Sequence, residues 1–116
     1  MDRLSIGRLE VDVPRTRRER RRGLLGRSSL DPGRALLLER CRSVHTVGMR
    51  FPIDAVLLDA GFRVLRVIRL RPWRVLAPRP GVRHVLEVAV GHGPPVGIRL
   101  RVGPRASAAS RPFRRS

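Results

Sequence analysis

Six residues in one short stretch have side chains that could do chemistry: Cys41, His45, Thr46, Met49, Arg50 and Asp54. Cys41, His45 and Met49 recur every four residues, which on a helix would align a thiol, an imidazole and a thioether on one face. That donor set suits a soft cation such as Cu(I). Gly48 and Pro52 disfavour a helix there, and an extended chain would have to fold back to bring the three together. No metal and no cofactor are therefore expected. A Cys41–His45 nucleophile pair is the enzymatic version of the same pattern, with Asp54 as the group that would orient the imidazole. A buried structural cysteine is the commoner finding, and no catalytic residue is assigned.

A non-catalytic role suits these residues better. In an extended chain Met49, Phe51 and Ile53 point one way into a core, and Arg50, Pro52 and Asp54 point the other. His45 and Thr46 would hydrogen-bond with Asp54 or nearby backbone, and Arg50 or His45 is the expected partner of a partly buried Asp54. His45, Thr46, Met49, Arg50 and Asp54 together then make a candidate shallow site for an anionic small molecule or a partner peptide.

The elements that must position these residues read mostly as strands. Residues 4–13 alternate apolar and polar and read as one strand closed by Pro14. Thr16 and Glu19 have capping-box spacing for a short helix over 17–25 that ends at Gly26 and docks through Leu24 and Leu25. Residues 35–38 read as a buried strand and 49–58 as an extended stretch. Residues 59–62 look like a hairpin turn, with a further extended stretch over 64–70 behind it. Residues 71–82, with three prolines, read as a long loop in which Trp73 covers the core or, as the alternative, stands as an exposed anchor. Residues 84–90 read as a strand, and 97–102 as a half-buried one. His84 and His92 read as ordinary surface or loop histidines.

Several stretches together resemble one family. Glu19-Arg20-Arg21-Arg22-Gly23-Leu24-Leu25-Gly26-Arg27, the segment from Val44 through His45, Thr46, Met49, Arg50 and Pro52 to Asp54, Val56-Leu57-Leu58-Asp59, and Val85-Leu86-Glu87 with Gly91 are similar to the bacterial and archaeal domain of unknown function family 192. The resemblance spans roughly residues 11–102. It implies a small, mostly antiparallel β fold with a packed helix, and no established activity. The run His92-Gly93-Pro94-Pro95 stands where the family places a small helix, so a shorter or less regular C-terminal third is expected. The fold class is α+β and β-dominated: a small mostly antiparallel sheet or partial barrel with one short helix on it.

At 116 residues the chain is one domain, with 1–103 as the β-rich body and 104–116 as a disordered basic tail. One cysteine excludes an intrachain disulfide framework. No apolar run approaches the ~20 residues of a membrane span, the opening residues lack a secretory leader pattern, and a cytoplasmic location is expected. The formal net charge is +17, with 26 basic residues, all arginine, against 9 acids. GC-rich coding favours arginine over lysine but does not explain the scarcity of acids. Non-specific attraction to polyanions follows. A nucleic-acid-associated protein using the arginine-rich helix and the tail is the alternative to a small cytoplasmic binding or accessory domain. A Cys/His metal protein or enzyme is a third reading.

Overall fold

The computed structural model describes residues 1–104. The strands are β1 (Asp2–Ile6), β2 (Leu9–Val13), β3 (Arg34–Leu38), β4 (Val44–His45), β5 (Ile53–Leu58), β6 (Val64–Leu70), β7 (Val75–Leu76), β8 (His84–Val88) and β9 (Val102–Pro104), with the helix α1 (Arg17–Arg22) between β2 and β3. Seven strands form one mixed sheet in the order β6-β5-β8-β3-β2-β1-β9, and β4 pairs with β7 as a separate ribbon. The sheet is antiparallel except between β2 and β3, which α1 connects. Parallel neighbours need such a crossover, because a tight turn can only reverse the chain. The domain is therefore β-dominated with one short helix, as its sequence implies. The tail expected from residue 104 onward lies, beyond Pro104, outside the described residues.

Both faces of the central strands are covered, which explains runs such as Leu36-Leu37-Leu38 and Val56-Leu57-Leu58. Ile53, Ala55, Leu57, Leu36 and Val85 face one side, together with Leu24, Met49 and Phe51. Val56, Leu58, Leu37, Leu86 and Val88 face the other, together with Val11, Val13 and Leu100. A one-residue slip of any of these strands would exchange the two cores.

Four local expectations are corrected. Residues 4–13 are two strands: Ile6 pairs with Leu9 across a tight turn at Gly7, whose φ of +58° glycine adopts without strain. The helix stops at Arg22 because Gly23, at φ +46°, turns the chain out of it, three residues before Gly26. The expected long loop over 71–82 contains β7, because Val75 and Leu76 find partners in His45 and Val44. Residues 97–101 form no regular strand of the sheet. The Val64 amide donates to the Ile98 carbonyl and the Leu100 amide to the Phe62 carbonyl, each at 2.9 Å, before β9 pairs with β1. This stretch fastens the start of β6 to the opposite end of the sheet, and Ile98 is left 44% exposed.

Candidate functional site

The helix is set by its cap. The Glu19 amide donates to Thr16 Oγ1 at 3.0 Å while Glu19 Oε1 accepts from the Thr16 amide at 3.2 Å. No residue of α1 is buried, so the turn after it supplies the docking, with Leu24 inside the core and Leu25 packed against it. This leaves Arg20, Arg21 and Arg22 standing over the sheet.

Between them and the sheet lies a cleft of about 160 Å³. Its walls are largely apolar, from Leu24, Leu25, Leu36, Leu38, Val44 and Met49. Its polar groups are the three arginines, Cys41, Ser43, His45 and Glu87. Cys41, His45 and Met49 therefore all line the cleft, and a turn rather than a helix folds the chain back to bring them there. The Met49 amide donates to the Thr46 carbonyl at 3.1 Å around Gly48, whose φ is +85°. A Cβ at Gly48 would sit 3.2 Å from Leu25 Cδ2, so this turn packs directly on the cleft wall.

The chain from His45 to Asp54 is thus no continuous ribbon: it turns at 47–48 and becomes a strand only at Ile53. The inward direction of Met49, Phe51 and Ile53 survives, all three being buried in one cluster. The expected pairings do not. Asp54 is 5% exposed, and its Oδ1 accepts from Arg69 Nε at 3.1 Å and its Oδ2 from the Gly91 amide at 2.9 Å. Neither Arg50 nor His45 is its partner, because β6 lies beside β5 and places Arg69 directly opposite Asp54. Thr46 is fully buried. Its hydroxyl donates to the Arg71 carbonyl at 2.5 Å and accepts from the Arg74 amide at 2.9 Å, so it ties the segment to residues 71–74 rather than to the strand that follows. Arg50 is exposed and does not line the cleft. His45 is exposed, and its Nδ1 accepts from the Val47 amide at 3.3 Å. The Cys41 thiol donates to the Ser43 carbonyl at 2.8 Å, so thiol and imidazole are each engaged with local backbone and not with each other. Trp73 does not cover the core. It is 64% exposed, because a φ of +64° turns it outward.

Glu87 is the functional candidate that the spacing of His, Cys and Asp did not reveal. Three acidic residues are buried: Asp12, Asp54 and Glu87. Asp12 accepts from Arg3 and Arg34, and Asp54 from Arg69. Glu87, 4% exposed, has no hydrogen bond or ion pair among the described residues. It stands on β8 opposite Leu36 and Ala55, on the cleft side of the sheet. Burial without a partner pushes its carboxyl up to about 8, so it carries a proton at neutral pH. The signal was present as a lone acid in the apolar run Val85-Leu86-Glu87-Val88.

The sequence profile of the family DUF192, described as Uncharacterized ACR, matches residues 2–101. A UPF0127 protein of Pyrococcus horikoshii is 40% identical over 45 residues, covering 39% of this chain and 39% of that protein. A UPF0127 protein of Thermococcus sibiricus is 37% identical over 49 residues, covering 42% of this chain and 32% of that one. The alignments thus span less than half of either relative. Among solved structures, a candidate transcription regulator from Sinorhizobium meliloti superposes with a TM-score of 0.70 at 22% identity, over 86% of this chain and 90% of that one. A protein of unknown function from Novosphingobium aromaticivorans does so with a TM-score of 0.71 at 19% identity, over 85% and 83%. At such identities the likeness extends to the fold.

Proposed function

Since this chain belongs to the DUF192 family, whose description assigns no activity, we propose that it is a ligand-binding domain whose site is the cleft over Glu87. The observation that carries this reading is the unpartnered buried carboxyl in a chain with 26 arginines. The other two buried acids have arginine partners, whereas this one stands on a cleft wall without a partner in the protein, at a desolvation cost. A ligand that hydrogen-bonds to Glu87 would offset that cost.

The lining narrows the ligand. A volume of about 160 Å³ is close to that of cavities that accept a single benzene ring, roughly 150 Å³. The apolar walls favour a ring or short branched chain as its body. A protonated Glu87 both donates and accepts, which suits a hydroxyl, carbonyl or amide. An amine would pair with an ionised Glu87, but Arg20, Arg21 and Arg22 at the mouth and the net charge of +17 oppose its approach. The same arginines favour an anionic group at the outer end. The ligand is thus a small anion with a neutral hydrogen-bonding group on the far side of an apolar body. On this reading His45 and Met49 belong to the site, whereas Arg50 is exposed away from the cleft and Asp54 is held by Arg69 and the Gly91 amide.

Thermal shift with 4-hydroxybenzoate, benzoate and benzylamine tests this. The hydroxylated anion should raise the melting temperature most, benzoate less, and benzylamine not at all. Glu87→Leu should abolish the difference between the two anions. No shift with either anion, or a preference for 4-hydroxybenzoate over benzoate that persists undiminished in the Glu87→Leu protein, would contradict the reading.

A further inference from the structure

The outer face of the β4–β7 ribbon carries an aromatic and apolar patch around Trp73 and Val75, and His45 and Val47 at its edge also line the cleft. His45 pairs with Val75 and Val44 with Leu76. The pairing continues past the strand ends: the Thr46 amide donates to the Arg74 carbonyl at 2.8 Å and the Trp73 amide to the Thr46 carbonyl at 2.9 Å. Alternation then sends Val44 and Leu76 inward, and His45, Val47, Trp73 and Val75 outward. Exposure agrees, at 39% for Val47, 64% for Trp73 and 72% for Val75.

Trp73 is held there against its own preference. Its φ of +64° is a left-handed conformation that a residue with a Cβ adopts at a cost. The conformation is enforced by Thr46, which bonds the Arg71 carbonyl, the Trp73 amide, and both the amide and carbonyl of Arg74. Backbone strain that a buried hub over-determines, at a residue whose ring faces water, is a mark of a presented group. Two arginines lie close to it in the chain. Arg71 and Arg74 are both exposed, and the Arg74 guanidinium lies 3.4 Å from the Trp73 carbonyl.

We propose that this face binds single-stranded nucleic acid, one base stacking on Trp73 and the adjacent phosphates meeting Arg71 and Arg74. A flat ring flanked by cations fits a base and its backbone. A second copy of the chain is disfavoured by the repulsion of two bodies of charge +17. An anionic bilayer would satisfy the charges but sets no demand on the position of one ring, whereas a stacked base does. The rigid Thr46 hub meets the second requirement.

The chain's sole tryptophan, with no tyrosine beside it, reports on its own contact. Titration with a short oligothymidylate at about 0.1 M salt should quench Trp73 emission without a blue shift. Trp73→Gly relieves the backbone and so preserves the fold, which circular dichroism checks. It should weaken binding, read by oligonucleotide anisotropy, roughly five- to a hundredfold. Trp73→Phe should keep most of the affinity. The salt dependence should be the same in all three proteins, because the phosphate contacts remain. Oligonucleotide affinity unchanged by Trp73→Gly would overturn the proposal. So would equally tight, unquenched binding of a polyglutamate peptide, or tighter binding to phosphatidylserine vesicles with blue-shifted, brightened emission.

Discussion

Glu87 and Asp54 show how differently one carboxyl group can be used within a single sheet. They sit on neighbouring strands, both buried. Asp54 accepts two hydrogen bonds and fastens the turn at Gly91 to the β5–β6 pair, while Glu87 accepts none. The consequence is a pH dependence of definite sign. The folded protein keeps Glu87 protonated up to about 8, whereas the unfolded chain releases that proton near the ordinary value of 4.5. The contribution of this group to stability is therefore complete below the ordinary value and declines as pH rises from there through about 8. Glu87→Gln, which cannot ionise, should match the wild type in urea unfolding near pH 4.5. At pH 8 it should be more stable by on the order of a few kcal/mol. A variant that is no more stable at pH 8 than the wild type would remove the buried acid from the account.

The β4–β7 ribbon is the element that gives the site its wall, and a single hydroxyl holds it. Thr46→Val keeps the volume of the side chain but leaves the Arg74 amide and the Arg71 carbonyl without their buried partner. The expected loss is about 1–3 kcal/mol in urea unfolding, with a shift of Trp73 emission as the ribbon loosens. Unchanged stability would show that water replaces the hydroxyl. This element was the least legible in the sequence. Its strands are two residues each, and their pairing joins segments thirty residues apart, beyond the reach of local periodicity. The helix was legible to within its last turn because Thr16 and Glu19 act locally, and its end was misplaced because two glycines, Gly23 and Gly26, both fit a terminus. The strands β3, β5, β6 and β8 were legible because long apolar runs leave them no alternative to a covered sheet.

For the whole molecule, composition predicted class and charge, and local spacing singled out some of the residues that line the cleft. Of the residues singled out by type and spacing, Cys41, His45 and Met49 do line the cleft, because a turn at Gly48 brings them there. Asp54 and Thr46 are structural fastenings, since their partners come from β6 and residues 71–74, which no local pattern could assign. Glu87, which also lines the cleft, comes from a strand placed beside them only by the sheet order. The charge of +17 acts on the folded body as a whole. Self-repulsion should make the protein less stable at low ionic strength, so its melting temperature should rise as sodium chloride increases from about 10 to about 150 mM. A flat or falling profile would mean that local ion pairs outweigh the repulsion. The cleft itself exists only when helix, ribbon and sheet are assembled, and the Glu87 proton reports on that assembly. Carbon-detected NMR titration of the Glu87 carboxyl in the unliganded protein is therefore the most direct test. A midpoint near 8 is predicted, and a midpoint in the ordinary carboxylate range, about 4 to 5, would contradict a buried, unpartnered acid at the heart of the site.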